Sequence, residues 1–267
     1  MPENTSLQDR IVFITGASSG IGRACAAAFA QQGARLLLAA RGRDRLTALE
    51  AELAEMRPSG GGRVETRLLQ LDVRDQEAVE SALAGLPRAW QEIDVLVNNA
   101  GLSRSLDKVH EGDPTDWNEM IDTNVKGLLW VSRAVLPGMI ARDRGHIINI
   151  GSISGHQVYG GGAVYCATKF AVDAITQGLR IDLLGTRVRA TAVDPGMVQT
   201  DFSLVRFHGD RERADAVYTQ YPPLSAGDVA EAVLFCATRP PHVVVQDLIL
   251  MPQDQAAVYA SHPRGRG

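Results

Sequence analysis

A tyrosine and a lysine four residues apart, Tyr165 and Lys169, most directly suggest chemistry in this chain. Residues 163–184 have the pattern of a helix, and positions i and i+4 share one helical face with Cβ atoms about 6 Å apart. A phenol normally titrates near ~10, and an adjacent ammonium favours the phenolate. A base that works near neutrality needs a drop of roughly 2 to 3 units, about 3 to 4 kcal/mol. The expectation is a tyrosine acid/base whose pKa Lys169 lowers. Many helices carry the same pair as a solvated face, so the surrounding elements must decide.

Upstream, the apolar run 145–150 is a predicted strand that ends at Gly151-Ser152. Gly160-Gly161-Gly162 lets the chain turn back before Tyr165. Ser152 is then placed to hydrogen-bond a substrate carbonyl, although a serine in a Gly-rich loop is more often a turn residue. Asn124 falls inside a predicted helix that starts with Asp113 as N-cap and Pro114 at the first position. That helix, 114–139, is apolar on more than one face, so its mid-helix asparagine needs partners if buried.

The first elements supply a second kind of site. Residues 11–14 read as a buried strand, residues 23–32 as a helix, and Thr15-Gly16-Ala17-Ser18-Ser19-Gly20-Ile21-Gly22 joins them. Strand, Gly-rich turn and helix is the context of a dinucleotide-binding turn, with a pyrophosphate at the helix N-terminus. A tight turn without a ligand is the alternative. The next strand, 35–40, ends in Ala39-Ala40-Arg41, with no acidic residue for a ribose 2′-hydroxyl. Arg41 can meet a 2′-phosphate with a planar guanidinium, which favours NADP over NAD. Otherwise Arg41, Arg43 and Arg45 form a solvated basic turn.

The rest of the chain continues the alternation. Helix 43–56, strand 64–71 ending in Asp72-Val73, helix 75–84 and strand 93–97 ending in Asn98-Asn99-Ala100-Gly101 are predicted in turn. Strand 188–193 leads to Pro195-Gly196-Met197-Val198-Gln199-Thr200. Residues 201–223 lack a clean period and read as a lid; helix 228–237, strand 247–250 and a polar surface tail, 255–267, follow. This order predicts an α/β fold: a single Rossmann-type, doubly wound parallel sheet of about seven strands flanked by helices, in one domain spanning 1–267. Ligands in such sheets bind beyond the carboxyl ends of the strands, where Asp72, Asn98, Ala100 and Gly101 fall.

Composition narrows the partners. The 267 residues are 45% hydrophobic and 22% charged, with a net charge of −4, which gives no basic surface for nucleic acid. No apolar run approaches the ~20 residues of a membrane span, and the first ten residues have no signal core. A soluble cytoplasmic protein is expected. Cys25, Cys166 and Cys236 have no metal-ligand spacing, so no metal is expected and buried thiols are.

Together, Thr15 to Gly22, Asn98 to Gly101, Asn124, Ser152, Tyr165-x-x-x-Lys169 and Pro195-Gly196 resemble the short-chain dehydrogenase/reductase family, over nearly the whole chain. The C-terminal half is similar to NADP-dependent 3-hydroxy acid dehydrogenases that act on serine and allo-threonine, through Phe202 to Asp210, Pro223-Leu224-Ser225 and Leu250-Met251-Pro252. The resemblance implies hydride transfer to or from NADP, with Tyr165 as acid/base and Lys169 holding the nicotinamide ribose. Ser152 would then donate to the developing alkoxide and Asn124 would order a water. It further implies Gly16, Ser18, Ser19, Gly20 and Ile21 at the pyrophosphate and Asp72 with Val73 at the adenine. Asn98, Ala100 and Gly101 would meet the riboses, and Pro195, Gly196, Val198 and Thr200 the carboxamide side. Gly42 stands where many NADP-using relatives have a second arginine, leaving Arg41 with Ser18, Ser19 or Arg43. A hydroxy acid needs a cation, for which Arg206 is the first candidate and Arg104 the second; Arg206 could instead pair with Asp210 or Glu212 on the surface. Homotetramers or homodimers are implied. A reductase of neutral carbonyls and a catalytically silent NADPH sensor are the rival readings.

Overall fold

The core strands are apolar at consecutive positions, so both of their faces must be covered. In β1 (Ile11–Thr15) Val12 and Ile14 enter one core while Ile11 and Phe13 enter the other. The same alternation divides Leu36 and Leu38 from Leu37 in β2 (Arg35–Ala40), and Val95 and Val97 from Leu96 further along. Each such fully buried leucine contributes about 1.5–3 kcal/mol.

The computed structural model describes residues 6–262. After β1 and β2, joined by α1 (Gly20–Gln31), come α2 (Arg43–Ala54), β3 (Thr66–Gln70), α3 (Gln76–Ala84) and β4 (Ile93–Asn98). Next are α4 (Pro114–Ile121), α5 (Leu128–Ala141), β5 (Gly145–Ile150), α6 (Ala163–Asp182), β6 (Val188–Pro195) and β7 (Val198–Gln199). The chain ends with α7 (Phe202–Arg206), α8 (Arg211–Ala216), β8 (Leu224–Ser225), α9 (Ala226–Ala237), β9 (Asp247–Leu250) and the strands β10 (Gln255–Ala257) and β11 (Ala260–Ser261).

Seven strands form one sheet in the order β3-β2-β1-β4-β5-β6-β9. Every pair in it is parallel. One core joins α1, α2 and α9 through Phe29, Leu46 and Val233; the other joins α3, α5 and α6 through Val79, Met139 and Leu179. The chain steps outward from β1 to β3, then returns to β4 on the other side of β1. That reversal opens a crevice above the carboxyl ends of β1 and β4.

Five expectations need correction. The predicted helix 114–139 is interrupted by a π-turn, Asp122–Gly127, whose wide winding carries Asn124. Gly127 is required there, because a Cβ would press on the Val73 side chain at 2.7 Å. Strand β3 starts at Thr66 rather than residue 64, and α9 starts at Ala226, where Ser225 and Asp228 form a reciprocal capping box. Segment 201–223 is not irregular: α7 and α8 occupy it, and the parallel pair β7–β8 closes its base. The tail is not merely a surface strap. Gln255 is buried, and its Oε1 accepts from the Met197 N–H at 2.8 Å. Residues 263–267 of the expected tail lie outside the described residues.

Candidate active site

The Gly-rich turn is shaped by contacts that leave no room for side chains. Gly16 has φ +63°, and a Cβ there would lie 2.9 Å from Asn99 Nδ2. The Asn99 amide donates to the carbonyls of Thr15 and Gly16, at 2.9 and 3.2 Å. The Thr15 hydroxyl accepts from the backbone N–H of Asn99 and of Ala100. The ends of β1 and β4 are thus stitched together directly beneath the crevice. Ser19 precedes α1 without a side-chain cap, and no acidic residue occupies the first turn. Open N–H groups at a positive helix end suit a phosphate.

A cleft of about 560 Å³ runs from this turn along the strand ends. Gly16, Ser18, Ser19, Gly20, Ile21, Arg41, Asp72, Val73, Ala100 and Gly101 line it, as do Pro195, Gly196, Val198 and Thr200. At the far end, Arg41 is half exposed and lies 3.6 Å from Glu119. Glu119 also meets Arg74 at 3.4 Å and Arg104 at 2.7 Å, so one carboxylate is shared among three guanidinium groups. Burial acts to raise the Asp72 carboxyl, but Arg74, with a smaller push from Arg41, holds it below the usual range. Arg45, in the first turn of α2, also lines the cleft, 3.8 Å from Asp201.

The other end is buried. Tyr165, Lys169 and Ser152 are each less than a tenth exposed. Lys169 Nζ donates to the Ile150 carbonyl at 2.9 Å and sits 5.9 Å from the centre of the Tyr165 ring. Ser152 hydrogen-bonds Tyr165, and its Oγ accepts from the Ser154 N–H at 3.1 Å. Asn124 clamps Leu102: Oδ1 accepts from its N–H and Nδ2 donates to its carbonyl, both at 2.8 Å. The same Nδ2 donates to Thr168 Oγ1 at 3.0 Å, tying the π-turn to α6.

Above this group, Phe202 packs edge-on to Tyr165, with ring centres 5.6 Å apart. The Arg206 guanidinium stands 5.7 Å from the Tyr165 ring centre and 5.0 Å from that of Phe202. Its Nη2 approaches the Tyr159 hydroxyl at 3.4 Å, and its Nε is buried with no hydrogen-bond partner.

The titration of the tyrosine runs opposite to expectation. Burial pushes the Tyr165 phenol above its ordinary value, nearby Tyr159 adds to this, and Arg206 and the Ser152 hydrogen bond only partly oppose it. Burial also draws Lys169 down to about 8, so the lysine is itself a weakened cation. Helical spacing brought the pair together, but desolvation is the largest influence on each of them.

A family model described as short chain dehydrogenase matches residues 10–209. The chain belongs to the short-chain dehydrogenase family. It is 46% identical over 247 residues to an NADP-dependent 3-hydroxy acid dehydrogenase of Salmonella typhi, covering 92% of this chain and 96% of that one. It is 47% identical over 247 residues to sulfoacetaldehyde reductase 2 of Chromohalobacter salexigens, covering 92% and 95%. Among solved structures it is similar to the closed form of serine dehydrogenase complexed with NADP+, with a TM-score of 0.87, 44% identity and coverage of 96% and 100%.

In this short-chain dehydrogenase, the two asparagines of the stretch Asn98 to Gly101 part ways. Asn98 does not line the cleft. Its Nδ2 donates to Ser132 Oγ and Asn149 Oδ1, both at 2.9 Å, inside the core, and Asn99 faces the crevice instead. Successive residues at a strand end face opposite ways, which is the physical reason. Arg43 likewise does not line the cleft, whereas Arg45 does. Arg104 is held by Glu119 and the Val205 carbonyl, so it braces α7 rather than pointing a free cation at a ligand. Leu102 and Thr123 line the cleft without any signal of their own in the sequence, and Phe202 and Val205 join them from the expected lid. Among the described residues, no helix is long and apolar enough to cross a membrane.

Proposed function

We propose that the chain is an NADP-dependent oxidoreductase that interconverts a small 3-hydroxy acid, of the size of serine or allo-threonine, and its carbonyl form. The observation that carries the anionic substrate is Arg206, a half-buried guanidinium whose Nε is buried and unpartnered, held above the ring of Tyr165. A guanidinium fork matches a carboxylate in two parallel hydrogen bonds. The dehydrogenase and reductase names carried by similar proteins agree with this reading.

The nicotinamide, when bound, supplies the hydride chemistry. The residues present fit such a cofactor: a Gly16 that tolerates no Cβ, uncapped N–H groups at α1, and Arg41 with no acidic residue at the end of β2. Gly16, Ser18, Ser19, Gly20 and Ile21 would hold the pyrophosphate, Arg41 with Arg45 the 2′-phosphate, and Asp72 with Val73 the adenine. Asn99, Ala100 and Gly101 would meet the riboses, and Pro195, Gly196, Val198 and Thr200 the carboxamide side.

Tyr165 serves as the acid/base group. A phenol held protonated by burial is ready to donate to a carbonyl oxygen, so reduction proceeds at neutral pH. Oxidation requires the phenolate and gains as pH rises. Ser152 donates a hydrogen bond to the oxygen on which charge develops. Lys169 holds the ribose side, and Asn124 fixes Leu102 and α6 so that a water can link Lys169 to solvent. Residues 201–223 close over the substrate as a lid, and residues 1–267 act as one domain. The enzyme works in the cytoplasm as a homotetramer or homodimer; the partly exposed Ile121, Leu129 and Phe170 offer apolar surface for that pairing.

The test is reduced-nicotinamide absorbance with purified protein. NADP or NAD is mixed with L-serine, L-allo-threonine or 3-hydroxypropionate, and NADPH with sulfoacetaldehyde and with neutral aldehydes and ketones. Turnover of hydroxy acids with NADP is expected, with little turnover on NAD. Turnover of neutral carbonyls alone would remove the anion site. Tight NADPH binding with no turnover would make the chain a sensor.

A further inference from the structure

Behind Ser152 lies a group of titratable side chains that the reaction as described does not use. Asp194, at the end of β6, is 1% exposed. One carboxylate oxygen, Oδ1, accepts from the Ser152 backbone N–H at 2.8 Å. The other, Oδ2, lies 3.1 Å from His156 Nε2. Asp247, on the neighbouring strand β9, brings its carboxylate within 4.8 Å of that of Asp194 and lies 3.9 Å from the same imidazole nitrogen. Gly151 leaves the space for this arrangement, since a Cβ there would collide with Asp194 Oδ1.

Two consequences follow for the residues that face the substrate. The Ser152 backbone is tied to a buried carboxylate, so the direction of its hydroxyl depends on that tie. Lys169 is buried too, bonded to the Ile150 carbonyl at the end of β5, and among its neighbours Asp194 acts to preserve its charge. One carboxylate therefore reaches Ser152 by a hydrogen bond and Lys169 through its field. Resting on the reading of Ser152, Tyr165 and Lys169 given above, we propose that Asp194, held by His156 and Asp247, is a positioning residue. Its carboxylate fixes the backbone of Ser152 and supplies the negative charge that supports Lys169.

The groups around it set the sign of the pH response. Burial, with the Asp247 carboxyl, pushes Asp194 up to about 7, and the His156 cation pulls the other way. Asp194 and Asp247 raise His156 above its ordinary value against the effect of burial, and Asp173 on α6 adds a smaller push. As pH falls through the neutral range, Asp194 takes a proton, its charge is lost, and its support of Lys169 is lost with it.

The experiment follows carbonyl reduction, where Tyr165 donates a proton and imposes no acid limb of its own. The parent is expected to lose rate as pH falls through about 7. Asp194→Asn keeps the shape and an oxygen acceptor but removes the charge. It is expected to lower kcat about tenfold at pH 7.5, to erase the acid limb, and to leave the Kd for NADPH within twofold. His156→Gln removes the cation that keeps Asp194 ionised, so its acid limb should move to higher pH by half a unit or more. An imidazole NMR titration reads the same linkage without turnover: His156 should titrate lower in Asp194→Asn than in the parent. Parent turnover tests the oxidoreductase reading, whereas the difference between variant and parent tests this inference. A folded Asp194→Asn protein with the parent's kcat and pH profile would overturn it. So would unaltered titration of His156 in that variant, or, if Asp194→Asn does not fold, a His156→Gln profile that coincides with the parent's.

Discussion

The two ends of the cleft are built on opposite principles. At the Tyr165 end, three buried polar side chains are tied to the scaffold: Lys169 to a carbonyl, Ser152 to Ser154 and Asp194, Asn124 to both backbone groups of Leu102. At the Arg41 end, guanidinium groups stand partly in solvent and share Glu119 at separations of up to 3.6 Å. A buried polar group that loses its partner costs about 1–3 kcal/mol, whereas an exposed ion pair contributes about 0–1 kcal/mol. The first end is thus over-determined, which suits the proton transfer proposed for it, because a misplaced acid loses most of its effect. The second end is a screened, adjustable field, sufficient to favour one phosphate.

The largest effect should come from removing the reacting group. Tyr165→Phe is expected to lower kcat by about 10²–10⁴-fold while NADPH still binds with nearly parental affinity by fluorescence titration. Retention of more than a tenth of the parent's kcat would end the assignment of Tyr165 as the acid/base. Next is Arg206→Ala, for which kcat/KM on a hydroxy acid should fall by about tenfold to a hundredfold, the size of a charge-assisted hydrogen bond. A neutral aldehyde should be affected much less. An equal fall on both substrates would make Arg206 a packing residue of α7.

Asn124→Ala tests whether the buried end is a rigid frame. It leaves both Leu102 backbone groups without their partners, so a loss of about 1–3 kcal/mol is expected in chemical denaturation. A midpoint equal to the parent's would mean that the clamp is dispensable. The smallest effect belongs to the exposed end. Arg41→Ala should reduce the preference for NADP over NAD by about tenfold, or ~1.4 kcal/mol. Added salt should weaken NADP binding in the parent more than in this variant, since exposed charges are screened within about 8–10 Å. If salt leaves both proteins equally unaffected, the contrast between the two ends does not hold.

Most of the sheet was legible because each strand is a local run with apolar residues for both faces, and each Gly-rich turn marks a strand end. Tyr165 and Lys169 were legible for the same reason, since helical spacing is a property of the chain. Their electrostatics were not: a helix fixes the distance between two groups, but the dielectric around them depends on what packs above. Phe202 and Arg206 come over Tyr165 from a segment with no clear period in sequence, and burial there raises the phenol rather than lowering it. Asn98 and Asn99 show the same limit at the scale of one residue: alternation at the end of β4 sends them opposite ways, and the packing around it decides which amide enters the core.

The sequence alone determined the order of the elements, the position of the Gly-rich turn after β1 and the pairing of Tyr165 with Lys169 on one helix. These rest on contacts among residues close in the chain, where backbone geometry fixes what meets what. Tertiary structure alone decided that Arg206 faces Tyr165 rather than Asp210 or Glu212, that Gln255 pins the turn at Met197, and that Asp194 meets His156 and Asp247 behind Ser152. Each of these joins segments far apart in the chain. Their meeting depends on strand order, register and the burial that results, which no local pattern specifies.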